Sequence, residues 1–247
     1  MFNNVSTTFK RYPKTFWTLI GALFIDRIGG ALIFPFLSLY LTAKFNIGMT
    51  EVGSLFAIIS IASFFGSMLG GALTDRFGRR KLMMFGLIAS ATSTLVLVFA
   101  NDIRIIYFGA ILVGLLSDVG HPATQAMLAD ILPENQRLEG FGVLRVVANL
   151  AVTIGPAIGG IIAAKSFLWL FIIDATASTI TALIVLFVLP ETKPQFSGNE
   201  KQPSMVETFK GYSVAFRDTI FMAFLVVTAL STLVYMQMNT TLSVFLR

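Results

Sequence analysis

The sequence predicts an all-α, polytopic membrane protein. Of its 247 residues, 55% are hydrophobic and only 13% are charged, and the mean hydropathy is +0.81. A soluble domain cannot bury so large an apolar fraction. The charged residues also fall between long uncharged blocks instead of following every surface. The lipid bilayer is therefore the predicted solvent of this chain.

Composition argues against several other classes of protein. The chain has no cysteine, which removes disulfides, thiolate catalysis and cysteine-ligated metals, and its one histidine, His121, cannot form a histidine cluster. The sequence contains neither an H-E-x-x-H nor a G-x-S-x-G arrangement, so the usual metal and nucleophile sites of enzymes are not predicted. The net charge is +5, but no basic stretch belongs to a soluble fold that would present it to the phosphates of nucleic acid. No metal, no cofactor and no nucleic-acid partner are predicted.

Seven segments are predicted to cross the membrane. A helix that spans a hydrocarbon core of about 30 Å needs about 20 residues. Apolar blocks of this size, each bounded by charged or turn residues, are Phe16–Leu41, Val52–Leu73, Leu82–Ala100, Ile105–Leu128, Phe141–Ala164, Phe167–Leu189 and Thr219–Leu246. The first block is too long for a cleavable signal peptide and is interrupted by Asp26 and Arg27, so we expect it to stay in the mature protein.

The basic residues predict the orientation of these spans. With the N-terminus inside, twelve of the 18 Lys and Arg residues lie on the inner side and four on the outer side, while Arg27 and Arg145 lie within spans. Positive charge accumulates on the cytoplasmic side of membrane proteins. The chain is predicted to be a multi-pass protein of the cell membrane with a cytoplasmic N-terminus.

The polar segment after the sixth span divides the chain. It contains Pro194, Gly198 and Pro203 and is longer than the other connections. We predict a six-helix transmembrane bundle over residues 1–190, a cytoplasmic linker over residues 191–217, and the first helix of an incomplete second bundle over residues 218–247. Six helices followed by one more are typical of half of a symmetric carrier. The missing C-terminal half of the same protein is therefore a predicted partner.

The connection between the second and third spans carries the most specific pattern. It resembles motif A of the major facilitator superfamily, a superfamily of membrane transporters, at Gly71, Leu73, Asp75, Arg76, Gly78, Arg79 and Arg80. Topology alone does not require an acid and a glycine at these spacings. The resemblance implies a conformational gate, in which the acid accepts charge-assisted hydrogen bonds and the arginines face the inner leaflet.

The fifth span has small residues and a proline at defined spacings. Ala151 stands where the corresponding family pattern has glycine. The pattern resembles motif C of the same superfamily at Gly142, Gly155, Pro156, Gly159 and Gly160. Small residues let helices pack closely, and proline leaves a backbone carbonyl unpaired. The resemblance implies an antiporter and favours export.

Acidic residues occur at membrane depth in two spans. Asp26 lies about ten residues into the first predicted span, and Asp118 is similarly central in the fourth. A charge at the bilayer centre costs about 2.5 to 3.5 kcal/mol unless it has a partner or a water-filled cavity. If the six helices form two inverted triplets, these two spans are counterparts. We predict Asp26 and Asp118 as proton-coupling residues.

The fourth span departs from the superfamily in one respect. The family's motif B has an arginine about four residues before the glycine that corresponds to Gly114, but Ala110 occupies this position. Arg27 or Arg145 could replace its positive charge from another span. Arg145 is predicted to be the cationic partner of the embedded acids.

Three other groups of polar residues have two interpretations each. His121 follows Asp118 on the same helical face and is either a further proton-coupling residue or a hydrogen-bonded residue at the kink of Pro122. Asp174 is interpreted as a packing or outer-interface group, because the family resemblance makes the sixth span peripheral. The residues predicted to contact substrate, or to form helix-packing bonds, are Tyr235, Gln237 and Asn239.

The resemblance as a whole implies a secondary active transporter. The expected activity is proton-coupled efflux of a small amphipathic or hydrophobic compound by alternating access, so the expected partners are that substrate, protons and the lipid bilayer. An uptake carrier or a uniporter for another small solute stays open as an alternative. A seven-helix receptor is the alternative from a different class, although the predicted cytoplasmic N-terminus is unusual for one.

Overall fold

The computed structural model describes residues 11–193, residue 211 and residues 215–240, with side chains described through residue 232. Within these residues every regular element is a helix. Six helical segments are long and apolar enough to cross a membrane, and they are called here the first to sixth spans: Lys14–Phe45, Met49–Phe77, Arg79–Phe99, Ile103–Ile131, Glu134–Ala163 and Phe167–Phe187. Each overlaps its predicted block, which confirms the all-α membrane fold.

A seventh apolar helix, Thr219–Thr240, begins where the seventh span is predicted. The end of that predicted span, residues 241–246, lies outside the described residues, as does most of the predicted linker. The chain divides into two compact units, Met1–Gln195 and Phe196–Arg247. The described part of the first unit contains all six spans.

Local chemistry explains where several spans begin and end. Pro13 and Pro133 precede the first and fifth spans in extended conformation, where the missing N–H of proline costs nothing. The Ser166 side chain accepts a hydrogen bond from the Leu168 amide and caps the sixth span. Asn46 ends the first span in the left-handed conformation at φ 51°. These ends therefore follow from ordinary capping rules.

The fourth span is not one regular α-helix. It consists of an α-helix over Ile103–Leu112, a π-helical turn over Val113–Ser117, and a second α-helix over Gly120–Ile131. A π turn holds one more residue than an α turn and often marks a functional position. Asp118 lies immediately after this turn.

Glycines allow the second and fourth spans to approach closely. A Cβ on Gly66 or Gly70 of the second span would meet the carbonyl oxygens of Leu115 or Val119 in the fourth. A Cβ on Gly114 would meet the carbonyl oxygen of Ile59 in the second. Close backbone approach through small residues is a common means of helix association in membranes. It fixes the π turn against the second span.

Two apolar cores hold the six spans together. One lies at the end of the bundle that carries the chain's N-terminus, which we call the N-terminal end, and contains Phe16, Leu19, Met83, Met127, Leu128 and Val185. The other lies at the opposite end and contains Leu32, Leu55, Ile106, Leu170 and Phe171. In the first and sixth spans, polar residues fall between the stretches that belong to these cores. The bundle therefore has a polar layer near its middle.

Candidate functional site

Two cavities open into the polar layer, and Asp26 and Arg27 line both. The smaller has a volume of about 180 Å³ and lies between the first, third and fourth spans. The larger has a volume of about 350 Å³ and lies between the first, third, fifth and sixth spans. Asp26 is thus shared between two sites, which the sequence alone did not indicate.

The smaller cavity brings together three of the predicted proton-coupling residues. Asp26, Asp118 and His121 all line it, with Ser90 and Ser117 beside them. The buried hydroxyl oxygen of Ser117 has no hydrogen-bond partner within the described part of the chain. The structure thus assembles the acids of the first and fourth spans around one polar space.

His121 sits at the exposed edge of this cavity. Its Nε2 lies 3.3 Å from Nε2 of Gln125, one turn further along the same helix, and either the ring or the amide can donate depending on the tautomer. This contact agrees with the predicted polar face of the fourth span. It leaves both interpretations of His121 open.

Arg145 does not join the acids. Its side chain is on the exposed side of the fifth span and forms no ion pair within the described residues. Arg27 instead lines both cavities. Of the two arginines considered as replacements for the motif B arginine, Arg27 is the one near Asp26, Asp118 and His121.

The larger cavity contains Asp174, a residue that the sequence did not select. Asp174 is only 6% exposed, and its Oδ2 accepts a hydrogen bond of 2.8 Å from the hydroxyl of Thr94 in the third span. It therefore lies inside the bundle and not at an outer interface. This position excludes the outer-interface interpretation and leaves the packing interpretation open, because the sixth span packs against both the first and the third.

A polar face of the sixth span continues from Asp174 towards the N-terminal end. Ser178, one turn later, donates a hydrogen bond of 2.8 Å to Oδ1 of Asp26, and Thr181 donates one of 3.0 Å to the carbonyl oxygen of Ala22. All three side chains of this face are buried. Their spacing of four and three residues was the available sequence signal, because it predicts a single helical face.

The motif C residues mostly mediate contact between the fifth and first spans. A Cβ on Gly155 would lie 2.5 Å from Cβ of Ala31, and one on Gly159 would lie 2.6 Å from the carbonyl oxygen of Leu32. Pro156 lines the larger cavity, and Gly160 packs near the ring of Phe36. Gly142 has open space around its Cα. Motif C thus positions one wall of the cavity.

The motif A connection at the N-terminal end folds around Gly78. Its φ of 99° and ψ of 160° belong to a region that is essentially restricted to glycine. A Cβ there would also meet the carboxylate of Glu191, which follows the sixth span. That carboxylate accepts hydrogen bonds from the amides of Arg79 at 2.8 Å and Lys193 at 3.1 Å. The turn and the segment after the sixth span are therefore built against each other.

Arg79 links this turn to the fourth span. Its Nε lies 2.9 Å from Oδ2 of Asp130, whereas its Nη1 lies 3.5 Å from Oδ1 of the motif residue Asp75. The Thr192 hydroxyl donates to the same Asp130 oxygen at 3.1 Å. Asp75 is mostly exposed, with 61% of its side chain accessible. Sequence reasoning selected Asp75, but Asp130 makes the shorter ion pair.

The motif A residues at this turn and the residues that contact them are called here the gate cluster, after the gate that the resemblance implies: Asp75, Arg76, Gly78, Arg79, Arg80, Asp130, Glu191, Thr192 and Lys193. Arg80 donates to the carbonyl oxygen of Leu186 near the end of the sixth span. The Lys193 ammonium donates to the carbonyl oxygen of Arg76 at 2.7 Å. Gly71 lies partly buried in the second span. The cluster ties four parts of the N-terminal end together.

A separate ion pair joins the start of the first span to the fifth. Arg11 lies 2.8 Å from Oε2 of Glu139, and the Tyr12 hydroxyl donates to the same oxygen at 3.0 Å. Burial, followed by the hydrogen bond and charge of Glu139, raises the pKa of Tyr12. Tyr12 therefore stays a hydrogen-bond donor at neutral pH.

The side chains of Tyr235, Gln237 and Asn239 lie outside the described residues, so the predicted substrate contacts stay predictions. Among the residues that the structure describes, no group of three His, Asp or Glu could hold a metal ion.

Comparison with known proteins identifies the family. The sequence model of the Major Facilitator Superfamily matches residues 19–247. The Na(+), Li(+), K(+)/H(+) antiporter of Planococcus maritimus is 27% identical over 93% of this chain and 56% of its own length. Multidrug resistance protein 2 of Bacillus subtilis is 28% identical over 85% of this chain and 54% of its own length. The chain spans about half the length of these curated relatives.

The solved structures support the same fold. The human organic anion transporter MFSD10 superposes with a TM-score of 0.62 at 22% identity, over 74% of this chain and 49% of that one. The matched proteins are transporters, so neither an enzyme nor a seven-helix receptor is favoured. With the residues of motifs A and C in their expected spans and a family match over most of its length, the chain belongs to the Major Facilitator Superfamily and is similar to its drug:proton antiporters.

Proposed function

We propose that this chain forms the first bundle of a carrier that exports a small amphipathic or hydrophobic compound in exchange for protons. The carrier works by alternating access, in which two bundles rock about a site near the membrane midplane. Asp26 and Asp118 take up and release the proton, with His121 beside them and Arg27 as the nearby cation. Export from the cell requires residence in the cell membrane, and the basic residues favour a cytoplasmic N-terminus.

One observation carries this proposal: Asp26 lines two cavities, and Asp118 and His121 line one of them. An acid in a partly dehydrated cavity changes its proton affinity when water or a cation gains access. A carboxylate that faces more than one cavity can therefore respond to both substrate and protons. The similarity to a Na(+), Li(+), K(+)/H(+) antiporter and to a multidrug resistance protein also supports exchange of a solute for protons.

The gate cluster supports the conformational part of the proposal. Its ion pair and hydrogen bonds connect the second, third, fourth and sixth spans at one end of the bundle. We propose that these bonds hold one conformation and that partners from a second bundle complete the gate. Because the chain spans about half the length of its relatives, transport is proposed for the complete carrier and not for this bundle alone.

Exchange of Na⁺ or K⁺ for protons is a second candidate. It is favoured by the name of the Planococcus relative and by the oxygen ligands around Asp26 and Asp174, since hydroxyl and carboxylate oxygens are the ligands that hard cations prefer. An uptake carrier or a uniporter would leave proton movement unlinked to an opposing solute.

The test uses everted membrane vesicles that contain the complete carrier, with this chain joined to its second bundle. Vesicles are first acidified, and tetraphenylphosphonium, NaCl or KCl is then added while a fluorescent dye reports proton efflux. We expect tetraphenylphosphonium to release protons and Asp26→Asn to reduce the initial rate at least tenfold, with a smaller reduction for Asp118→Asn. Glu134→Gln is the matched control, because this acid is exposed at the start of the fifth span.

The outcomes separate the candidates. Proton release on addition of NaCl or KCl, without release on addition of tetraphenylphosphonium, would favour the alkali-cation exchanger. Release that is equal in Asp26→Asn and Glu134→Gln would remove Asp26 from the coupling mechanism. No proton movement with any of the three cations, in a carrier that is folded and inserted, would favour uptake or uniport.

A further inference from the structure

We propose that Asp174 and Asp26 form one proton-holding pair, in which two carboxyl groups from the sixth and first spans share a single proton across the larger cavity. This inference rests on the proposed function and deepens it, because it adds a proton-holding residue from a span that the sequence analysis treated as peripheral. The pair is distinct from Asp118, which lines only the smaller cavity.

The geometry brings the two acids to the same space. Both line the cavity of about 350 Å³. Ser178 follows Asp174 by one helical turn and donates a hydrogen bond of 2.8 Å to Oδ1 of Asp26. The polar face of the sixth span therefore contacts Asp26 directly.

Gly29 gives Asp174 its place against the first span. A Cβ on Gly29 would lie 2.8 Å from Oδ1 of Asp174 and 3.0 Å from Cβ of Ala177. Gly29 is three residues after Asp26 and therefore on a neighbouring part of the same helical face. The absence of a side chain at this position lets the Asp174 carboxyl approach the first span at the level of Asp26.

The partners of both acids are hydroxyl groups and not cations. Thr94 donates to Asp174 and Ser178 donates to Asp26, and neither acid forms an ion pair within the described part of the chain. The third and fifth spans contribute Ser90, Val152 and Pro156 to the cavity wall, none of which is charged. Arg27 is the cation among the lining residues, and it also faces the smaller cavity.

Two neighbouring carboxylates without a paired cation cannot both stay ionised in a dehydrated site. One proton removes the repulsion, and the two hydroxyl donors can stabilise the remaining negative charge. When the cavity opens to water, the shared proton can leave to a water molecule while Arg27 and solvent stabilise the two carboxylates. Asp174 would then take part in each proton cycle. A packing role predicts instead that Asp174 affects stability but not the proton on Asp26.

Infrared spectroscopy tests the pair without requiring transport. The full chain is labelled with carbon-13 at the aspartate carboxyl groups and reconstituted in nanodiscs of phosphatidylethanolamine and phosphatidylglycerol. The carbonyl band of protonated aspartate is measured at neutral pH for the unmodified chain and for the Asp26→Asn, Asp174→Asn and Asp118→Asn variants. Far-ultraviolet circular dichroism checks that each variant keeps its helical content.

A shared proton predicts a non-additive result. The band should fall at least fivefold in Asp26→Asn and also in Asp174→Asn, because either change leaves a single carboxyl that ionises beside its hydroxyl donors. Asp118→Asn should retain the band, and Asp174→Glu should restore it at a shifted frequency. A band lost in only one of the two variants would assign the proton to one acid, and a band retained in both would assign it elsewhere; each result overturns the pair.

The two proposals fail independently. If the vesicles exchange protons through Asp26 while Asp174→Asn leaves the carboxyl band unchanged, the pair is wrong and the proposed function stands. If the band behaves as expected but the vesicles move no protons with any cation, the pair stands and the proposed function is wrong.

Discussion

The gate cluster and the Asp26–Asp174 pair handle buried or partly buried charge in opposite ways. In the gate cluster, Arg79 meets Asp130 at 2.9 Å and charged groups also bond to backbone carbonyls or amides. In the polar layer, Asp26 and Asp174 meet the hydroxyls of Ser178 and Thr94. One region satisfies charge with opposite charge, and the other with neutral donors.

The difference fits the two roles proposed above, which are holding a conformation for the gate cluster and responding to protons for the polar layer. Loss of one partner of a partly buried ion pair leaves the other charge unpaired, so the pair favours the conformation in which both partners meet. A carboxyl with only hydroxyl partners has no such fixed countercharge, and its protonation can change without breaking a salt bridge. We infer that the gate cluster resists change and that the polar layer senses it.

The largest expected effect would break the gate cluster at its turn. Gly78→Ala places a side chain in a glycine-only region of φ and ψ and displaces the Glu191 carboxylate, so we expect about 3 kcal/mol of lost stability. The free energy of unfolding is measured by circular dichroism in mixed detergent micelles. Gly53→Ala is the control, because it is helical with open space around it and should change stability by less than about 1 kcal/mol. Equal effects would contradict the gate geometry.

A smaller effect should rank the two acids that meet Arg79. Asp130→Asn removes a charge at 2.9 Å and weakens the bond from Thr192, which predicts a loss of about 2 kcal/mol. Asp75→Asn makes the same chemical change at an exposed site 3.5 Å away and should cost about 0.5 kcal/mol or less. The same unfolding measurement decides the order. If Asp75→Asn proves the more costly, Asp130 is not the main anchor of the turn.

The smallest expected effect sharpens the description of the polar layer. Thr94→Val removes the hydroxyl that donates to Asp174 and should cost about 1 kcal/mol, the usual value for one buried hydrogen bond. Thr92→Val is the matched control, since Thr92 is exposed and bonds only to the carbonyl of Ile88 in its own helix. A loss near 3 kcal/mol would mean that Asp174 carries a full negative charge at the pH of the measurement, contrary to the shared-proton proposal.

The fold was predictable because the bilayer imposes a strong pattern. Apolar blocks of about 20 residues indicate spans regardless of how the helices pack. The motif A pattern then indicated one family of membrane transporters. Span ends were less predictable, since the fifth span begins at Glu134 and not at Phe141. Its first turns are polar, so hydropathy gives no signal for them, although Pro133 stands directly before the first helical residue.

The candidate site was predictable only where chemistry was concentrated in one segment. Asp26 and Asp118 stood out as isolated charges in apolar blocks. Asp174 stood out equally, but its importance depends on Thr94 and Gly29, which lie in other spans. The partnership of Arg79 with Asp130 was similarly hidden, because 51 residues separate them. Pairing between distant segments is a property of packing and leaves little trace in local sequence.

The π turn over Val113–Ser117 has a consequence for how the fourth span is compared with other proteins. A π turn is equivalent to one inserted residue in an α-helix, and residues beyond it are rotated by about 100° relative to a regular helix. Positions before and after the turn therefore follow different registers. Deleting one residue from this turn would regularise the helix and turn Asp118 and His121 away from their cavity, while Gly109 and Ala110 kept their faces. If this span is aligned without a gap to a regular α-helical span, the residues on one side of the turn are matched to positions on a different helical face.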